Sequence, residues 1–306
     1  MNIEIENVRK EYGSVTALDG LTLTIPSGST FGLLGTNGAG KTTLFRLLVG
    51  HDRPDEGRIT VGGMDAESAG VRVRERVGYL PDQIGFPGRL TGREALAFHA
   101  RMRGVPAGER ETRVDSALET VGLTDAADRS VAGYSNGMGR RLGLASVLVG
   151  QPDVLVLDEP TAGLDPRGIA TFHRIVERVS EETDATVLFA SHALDEVERL
   201  CDEVAVIHEG RLRLAGTVAD VTASVAETTT VRIDATDEAA RTAVIETARA
   251  FGPVHVGDRV AVECPRTETF ALVDALDENG VAGLTIDEPG LDRAFLDAVS
   301  EEGVRA

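Results

Sequence analysis

The chain has 306 residues, of which 42% are hydrophobic, and a formal net charge of −19. This length favours more than one domain, and the acidic balance argues against a general nucleic-acid-binding protein, which needs a basic surface. No apolar run approaches the roughly 20 residues of a transmembrane helix, and the acidic N-terminus lacks the basic segment of a signal peptide, so we expect a cytoplasmic protein.

The basic residues are strongly biased. Only Lys10 and Lys41 are lysines among the 31 basic residues, and the rest are arginines. Few lysines with many carboxylates are typical of salt-loving organisms, in which acidic surfaces stay hydrated and their repulsion is screened. A GC-rich genome is the alternative explanation. Cys201 and Cys264 lack a metal-binding spacing, so we expect free thiols in a reducing compartment.

Two segments near the N-terminus alternate apolar and polar residues, which predicts half-buried strands. Residues 2–9 form the first, and residues 21–25 form the second, which ends at a Pro-Ser-Gly turn. Tyr12 lies between them, before a glycine. Its ring is suited to stacking on a flat base, and a packing or surface tyrosine is the alternative.

Residues 35–42 read Gly-Thr-Asn-Gly-Ala-Gly-Lys-Thr, which has the form G-x-x-x-x-G-K-[ST]. An apolar run at 30–34 predicts a strand before them, and an apolar-periodic run at 43–49 predicts a helix after them, as a phosphate-binding loop requires. The glycines let successive N–H groups turn toward phosphate oxygens, and the helix N-terminus adds partial positive charge. Lys41 supplies a full charge to the β- and γ-phosphates, and the Thr42 hydroxyl is placed to ligate Mg²⁺. A glycine-rich turn without function is the alternative.

The middle of the chain is predicted to be mostly helical. Short strands are expected at 58–63 and 77–81, followed by a loop at 82–87 with glycine and proline. Helices are expected at 94–103, 109–121 and 140–149, as an insertion into an α/β domain. Ser135 is a candidate N-cap before the last helix, and Gly137 leaves the backbone accessible to a second phosphate, although this pattern is common.

An uninterrupted apolar run at 154–157 predicts a central parallel strand that ends at Asp158 and Glu159. Ligands of open α/β sheets bind at this end of the strands, so Asp158 is placed to hold Mg²⁺ and Glu159 to act as general base. A strand that simply ends in polar residues is the alternative. A helix to about residue 182 and another buried strand at 186–190 follow. His192 comes just after that strand, where its imidazole is placed to contact the γ-phosphate. A hairpin at 204–213 closes the domain.

Together these motifs resemble the ATP-binding cassette (ABC) ATPases over residues 1 to about 218. The order and spacing of five elements carry the resemblance: the loop at 35–42, Tyr-Ser-x-Gly-Met at 134–138, the strand at 154–159, Gly-Leu-Asp at 163–165 and Ser-His at 191–192. It implies an α/β P-loop NTPase fold: a mixed sheet core, an antiparallel β subdomain and a helical subdomain at about 86–150. A small α+β C-terminal domain at 219–306 would complete the chain.

The resemblance also implies a site and a mechanism. Two cassettes meet head to tail, and each ATP lies between the P-loop of one and the Ser135/Gly137 loop of the other. The cycle of ATP binding and hydrolysis drives a membrane permease, to which the cassettes bind at the inner face of the membrane. Asp165 would communicate across this dimer, which is expected to be a homodimer, and no nucleic acid is expected as a partner. The implied catalytic residues are Glu159, His192 and Lys41. The implied nucleotide and Mg²⁺ contacts are Tyr12, Gly35, Thr36, Asn37, Gly38, Ala39, Gly40, Lys41, Thr42, Thr43, Asp82, Gln83, Ser135, Gly137, Asp158 and Asp165.

Two positions depart from the family pattern. Asp82 stands where the family has a glutamine and Gln83 follows it, so either is a candidate for the Mg²⁺-binding role alongside Thr42 and Asp158. The family's Leu-Ser-Gly-Gly-Gln reads Tyr-Ser-Asn-Gly-Met at 134–138, which keeps Ser135 and Gly137. This variant is similar to the ABC-2-type branch, mostly exporters linked to drugs, sodium or copper. Residues 78–94 are similar to ATPases of nitrous-oxide-reductase maturation transporters, an alternative within that branch.

Residues 219–306 lie outside the cassette. A strand at 231–233, a helix at 237–250, a hairpin at 254–264, a helix at 267–278 and a strand at 284–286 give the order βαββαβ, which indicates a ferredoxin-like unit. The segment 288–296 resembles the closing helix of ABC-2-type ATPases. A regulatory or dimer-stabilising role and a passive appendage are both open.

Two other functions were weighed. A non-transport ABC ATPase of DNA repair or translation predicts a duplicated cassette, a long coiled-coil insertion or iron–sulfur cysteines, and the sequence has none of these. A binding module without turnover is disfavoured by the presence of both Glu159 and His192. The sequence therefore favours the ATP-hydrolysing subunit of a transporter.

Overall fold

The computed structural model describes residues 1–225, 228–277, 280–287 and 290–300. The chain divides into two compact units, Met1–Ala215 and a second unit from Gly216 onward. The sequence places this boundary slightly later, at residue 218. Within the described ranges, no helix combines the length and apolar character needed to cross a bilayer.

The first 80 residues are mainly strands. They form β1 (Ile3–Tyr12), β2 (Val15–Ile25), β3 (Thr30–Leu34), α1 (Lys41–Leu48), β4 (Glu56–Val61), β5 (Met64–Asp65), α2 (Gly70–Arg76) and β6 (Val77–Leu80). The short β5 and α2 were not predicted, because neither shows a hydrophobic period.

Residues 81–217 contain the helical insertion and the rest of the central sheet. They form α3 (Gly92–Met102), α4 (Arg110–Thr120), α5 (Asn136–Leu148), β7 (Val154–Asp158), α6 (Pro166–Glu182), β8 (Thr186–Ala190), α7 (Leu194–Leu200), β9 (Glu203–His208) and β10 (Arg211–Thr217). Two 3-10 turns, Thr124–Ala126 and Val131–Gly133, lie between α4 and α5.

Helix caps explain why two of these helices begin earlier than predicted. The Thr91 hydroxyl and the Glu94 carboxylate form a capping box, so α3 begins at Gly92 instead of residue 94. Ser135 caps α5, which begins at Asn136 instead of residue 140. The glycines in the first turn of α5 lower its helix propensity, so the start is hard to see in the sequence.

The first unit has two sheets that share a core. A four-stranded sheet has the order β2-β1-β4-β5, and a six-stranded sheet has the order β10-β9-β3-β8-β7-β6. The neighbours β3–β9, β3–β8, β7–β8 and β6–β7 are parallel. All residues of β3, β7 and β8 are buried, as expected for parallel strands covered on both faces. The predicted α/β fold, with a mixed core sheet, an antiparallel sheet and a helical insertion, is confirmed.

The second unit contains α8 (Val218–Val225), β11 (Thr228–Ala235), α9 (Glu238–Ala248), β12 (Val254–Val256), β13 (Val260–Pro265), α10 (Thr269–Leu276), β14 (Val281–Asp287) and α11 (Leu291–Val299). A 3-10 turn, Arg266–Glu268, precedes α10. Its antiparallel sheet has the order β12-β13-β11-β14. The predicted end of α10 at residue 278, the start of the closing segment at 288–289, and residues 301–306 lie outside the described residues.

Candidate nucleotide site

The loop between β3 and α1 has a backbone that only glycine tolerates at two points. Gly38 and Gly40 have φ angles of 82° and 108°, in the left-handed region. A Cβ on Gly40 would lie 2.5 Å from the carbonyl oxygen of Ala17, so no side chain fits there. Because α1 begins at Lys41, its first N–H groups lack partners within the helix and face this loop. The result is a backbone cradle for an anion at a helix N-terminus.

The Lys41 side chain lies between this loop and the end of β7. It is 7% exposed, and its ammonium donates to the carbonyl oxygen of Gly35 at 2.6 Å. The same Nζ lies 3.4 Å from Oε1 of Glu159. A buried full positive charge is therefore held next to a carboxylate and at the mouth of the anion cradle.

One cleft gathers most of the predicted nucleotide-binding residues. It is lined by Val15, Ala17, Thr36, Asn37, Gly38, Ala39, Gly40, Lys41, Thr42, Thr43, Asp82, Asp158 and Glu159. Strand register explains why the two carboxylates at 158 and 159 join it, since β7 runs parallel to β8, which pairs with β3. The carboxyl ends of these strands therefore meet at one edge of the sheet.

Asp158 is a buried carboxylate in which one of the two oxygens has a hydrogen-bond partner. It is 1% exposed, and its Oδ2 accepts a hydrogen bond from the Tyr79 hydroxyl at 3.1 Å. Its Oδ1 has no hydrogen-bond partner among the described residues. Burial raises the pKa of Asp158 above its ordinary value, and the nearby Thr42 and Tyr79 hydroxyls oppose this shift. Burial and the charge of Asp158 likewise raise the pKa of Tyr79.

A Mg²⁺ ion suits these residues. An unpartnered buried carboxylate oxygen beside a threonine hydroxyl is the donor set of a magnesium site in which water supplies the remaining ligands. The described residues contain no group of three His, Cys, Asp or Glu side chains that could enclose a metal.

Glu159 has a strained backbone and a well-defined carboxylate. Its φ is 44°, which is uncommon for a residue with a side chain, and its N–H donates to the carbonyl oxygen of Ala190 at 3.0 Å. Its Oε2 lies 2.8 Å from Nδ1 of His192 and 3.4 Å from the His192 amide nitrogen. The imidazole of His192 is 68% exposed. Glu159, His192 and Lys41 thus form one continuous polar group, with strain of the kind found at functional sites.

Asp82 and Gln83 lie in different places. Asp82 is among the residues that line the P-loop cleft, and Gln83 is not. Gln83 lines a neighbouring cleft, together with Ser135, Asn136 and Leu164. The backbone of this segment is held by Arg140, which donates to the carbonyl oxygen of Asp82 at 2.7 Å. Of the two candidates, Asp82 is the residue whose surroundings include the P-loop.

Gly35 and His192 do not line the P-loop cleft but contact Lys41 and Glu159, which do, and four further predicted residues are not among those lining it. The Ser135 hydroxyl accepts from the amide of Met138 at 3.3 Å and caps α5, and the Asp165 carboxylate accepts from the amide of Gly168 at 2.7 Å and caps α6. Ser135, Gly137 and Asp165 line a cleft of their own. Tyr12, at the end of β1, is 42% exposed and donates to Asp52.

Sequence reasoning missed three side chains that support the site. Tyr79 is the partner of Asp158, Arg140 binds the backbone on both sides of the cleft, and Glu196 accepts hydrogen bonds from Thr161 and Ser191. The sequence carries no clear signal for Arg140 or Glu196: Leu144 is the one large apolar residue one turn away from Arg140, and the residues one turn away from Glu196 include His192 and Arg199.

Comparison with known proteins identifies close relatives. The sequence profile described as ABC transporter matches residues 18–162. The linearmycin resistance ATP-binding protein of Bacillus subtilis is 32% identical over 96% of this chain and 97% of its own length. The Nod factor export ATP-binding protein I of Ralstonia nicotianae is 42% identical over 68% of this chain and 65% of its own length. Among solved structures, CbiO1 from Clostridium perfringens, part of an ABC transporter complex, shares 31% identity with a TM-score of 0.66, covering 81% of this chain and 96% of that one.

Proposed function

Because this chain belongs to the ATP-binding subunits of ABC transporters, we propose that it couples ATP hydrolysis to export through a separate membrane permease. The family binds and hydrolyses ATP. The observation that carries the proposal is the polar group at the P-loop, where Glu159 lies 3.4 Å from Lys41 and 2.8 Å from His192. A phosphate cradle, a base and a hydrogen-bonding group are the parts that phosphoryl transfer to water requires.

Each side chain has a role in this proposal. The amide groups at the start of α1 and the Lys41 ammonium bind the β- and γ-phosphates, which fixes the γ-phosphorus opposite Glu159. The Glu159 carboxylate accepts a proton from the attacking water. At the same time the water oxygen bonds to the γ-phosphorus, and the β–γ bridging oxygen leaves with ADP. His192 holds the carboxylate through Oε2 and contacts the γ-phosphate.

Thr42 and Asp158 are the side chains that would hold Mg²⁺, together with Asp82, which lines the same cleft. The ion supplies positive charge that stabilises the transferring phosphoryl group. Tyr79 orients the Asp158 carboxylate by occupying Oδ2, which leaves Oδ1 for the cation. In this assignment Gln83 is not a ligand.

A second copy of the chain completes the site. The support is the location of Ser135, Gly137 and Asp165 in a cleft of their own instead of the P-loop cleft. Ser135 and Gly137, at the N-terminus of α5, present a second set of phosphate-binding groups, so a head-to-tail homodimer brings them to the ATP of the partner. The exposed ring of Tyr12 would then stack on adenine.

We infer the direction of transport and the location of the protein from its relatives. One relative is named for antibiotic resistance and another for Nod factor export, which favours an exporter of the ABC-2 type over a nitrous-oxide-reductase maturation transporter. The subunit would be peripheral, bound at the inner face of the membrane through its permease, with no nucleic-acid partner. The strand order β12-β13-β11-β14 supports a ferredoxin-like second domain with a regulatory or dimer-stabilising role.

The test is substitution of the proposed base. In the Glu159→Gln protein we expect phosphate release to fall by about 100- to 10,000-fold while ATP binding is retained and an ATP-bound dimer accumulates in size-exclusion chromatography. Glu198→Gln, on the exposed face of α7, is the matched control and should keep wild-type turnover. Wild-type turnover in the Glu159→Gln protein would remove Glu159 from the base role.

A further inference from the structure

Arg140 is a buried cation whose hydrogen bonds within the described residues all go to backbone carbonyl groups. It lies on α5, five residues after Ser135, and is 7% exposed. Its guanidinium donates five hydrogen bonds: Nε to Pro160 at 2.6 Å, Nη1 to Pro81 at 2.8 Å and to Asp82 at 2.7 Å, and Nη2 to Asp158 at 3.0 Å and to Glu159 at 2.8 Å.

These contacts use every donor that the side chain has. A guanidinium carries five N–H groups in a fixed planar fork, and each of them meets one carbonyl oxygen. No ion pair within the described residues includes Arg140, and burial lowers its pKa, while the charges of Asp82, Asp158 and Glu159 act in the opposite direction. Burying an unpaired cation is unfavourable, so its presence in this place indicates a geometric role.

The carbonyl groups belong to two segments that frame the nucleotide cleft. Pro81 and Asp82 follow β6, and residues 158–160 follow β7; the two strands pair in parallel, with Leu80 opposite Leu157. Arg140 therefore joins the ends of two neighbouring strands to each other and to α5. Because α5 begins at the Ser135 cap, one side chain connects both phosphate-binding regions of the chain.

The consequence is largest at Glu159. The carbonyl groups of Asp158 and Glu159 belong to the two peptide planes on either side of the Glu159 Cα, and Nη2 of Arg140 binds both. The Glu159 amide is also bound, by the carbonyl oxygen of Ala190. With both planes held, the left-handed backbone at φ 44° is maintained and the direction of the Cα–Cβ bond is set.

We propose that Arg140 is a positioning residue for hydrolysis: it fixes the Glu159 carboxylate and the Asp82 segment relative to the P-loop and couples both to α5. The inference rests on the proposed ATPase function. It predicts that a displacement of α5 or of the segment after β6 changes the position of Glu159, because the same guanidinium holds all three. Arg140 itself does not touch the nucleotide in this assignment.

The test separates kcat from ATP affinity. In Arg140→Gln we expect kcat to fall about 100-fold, the loss that follows a displacement of about 1 Å in a catalytic group, while the affinity for ATP changes less than about 3-fold. Arg140→Lys retains a charge and up to three donors, so it should recover part of the rate. Arg110→Gln is the control: Arg110, on α4, also donates to a backbone carbonyl group, that of Val105 at 2.8 Å, and is not among the residues that line the P-loop cleft or the Ser135 cleft.

Backbone hydrogen exchange gives a second readout that does not need turnover. Arg140→Gln should increase exchange at the amides of residues 80–84 and 158–162 together, with the P-loop amides unchanged and the Arg110→Gln pattern like wild type. A kcat within about 2-fold of wild type, or equal losses of kcat and ATP affinity, would overturn the positioning role. Unchanged exchange at both segments would overturn it as well.

Failure of the function and failure of this inference look different. If the wild-type protein does not hydrolyse ATP, the proposed function is wrong, and the exchange data alone decide whether Arg140 holds the two segments. If Glu159→Gln is inactive and Arg140→Gln is fully active, the function stands and the positioning role is wrong.

Discussion

Glu196 offers a quantitative test of how the site is supported. This glutamate of α7 is 4% exposed and accepts hydrogen bonds from the Thr161 hydroxyl at 2.7 Å and the Ser191 hydroxyl at 3.2 Å. Its other oxygen lies 3.7 Å from Nε2 of the buried His173. Thr161 follows Glu159 by two residues and Ser191 precedes His192. One buried carboxylate thus holds the two segments that carry the polar group at the P-loop.

The expected cost of Glu196→Gln follows from these contacts. Hydrogen bonds to an ionised group contribute about 1.5–3 kcal/mol each and neutral ones about 0.5–1.5 kcal/mol; both hydroxyls donate to the same oxygen, so an amide oxygen there keeps both bonds in the weaker, neutral form. The attraction to His173 is lost too, and breaking a buried pair costs about 3–5 kcal/mol when the remaining charge has no other partner. We therefore expect the first unit to lose about 2–4 kcal/mol of unfolding free energy.

The pH dependence has a defined sign. Burial alone raises the pKa of Glu196, but the interactions with His173, Thr161 and Ser191 outweigh it and lower the pKa below the ordinary value of 4.5. A carboxyl group with a depressed folded-state pKa stabilises the fold above its unfolded pKa and loses this contribution as the pH falls through the folded value. The stability difference between wild type and Glu196→Gln should therefore be full at neutral pH and shrink below about pH 4.5.

The assay is thermal and urea unfolding at pH 7 and at several lower values. A loss of 2–4 kcal/mol lowers the melting temperature of a unit of about 200 residues by about 5–15 °C. Glu198→Gln, on the same helix but exposed, is the control and should stay within about 0.5 kcal/mol of wild type. If Glu196→Gln behaves like this control at pH 7, or if the difference grows as the pH falls, the assignment of Glu196 as an ionised support is refuted.

Three further variants test the P-loop cleft. Lys41→Ala removes a buried ammonium from the phosphate cradle and should weaken ATP binding by about 10- to 100-fold in a titration; unchanged affinity would contradict the P-loop assignment. Burial raises the pKa of Asp158, so the ionised carboxylate destabilises the fold above that pKa. Asp158→Asn should therefore be inactive, about 1–2 kcal/mol more stable than wild type in urea at neutral pH, and equal to wild type at low pH. Lower stability of the variant at neutral pH would argue against a carboxylate that is unfavourably buried. In Gly40→Ala the new methyl group lies 2.5 Å from a carbonyl oxygen and should lower the unfolding free energy by more than about 2 kcal/mol, measured by thermal unfolding. Gly108→Ala, where a Cβ has no neighbour within 4 Å, should change the unfolding free energy by less than about 1 kcal/mol. Equal effects of the two substitutions would show that the loop relaxes.

The fold was largely predictable because its signals are local. The buried runs at 30–34, 154–158 and 186–190 predicted β3, β7 and β8, and the βαββαβ order of the second unit is visible in its periodicity. The elements that were missed are short or polar. The two residues of β5 and the arginine-rich α2 show no period, and α5 begins in a glycine-rich turn that lowers its propensity.

The cleft residues were predicted to a similar extent, for a chemical reason. A phosphate needs particular residue types at fixed spacing, so the loop at 35–42 and the carboxylates at the end of β7 can be recognised in the sequence. Tyr79, Arg140 and Glu196 could not be assigned this way, because they bind residues that are distant in the chain: Asp158, the carbonyl groups of 81–82 and 158–160, and Thr161 with Ser191. Only the register of β6, β7 and β8 brings these partners together. The choice of Asp82 over Gln83 likewise depends on backbone geometry.

The supporting charges and the strained residues occupy the same few positions, and this arrangement has a physical reason. Asp158 has an unpartnered buried oxygen and Glu159 a left-handed backbone, and both features oppose folding unless their surroundings determine them. Arg140 binds the backbone on both sides of Glu159, and Glu196 binds the next segment through Thr161. Apolar packing does not fix the orientation of a polar group, because it is not directional. A guanidinium orients the carbonyl groups to which it donates, and a carboxylate orients the hydroxyl groups from which it accepts. The chain therefore places two buried charges next to the left-handed backbone of Glu159, where apolar packing would provide stability without fixing the geometry that hydrolysis needs.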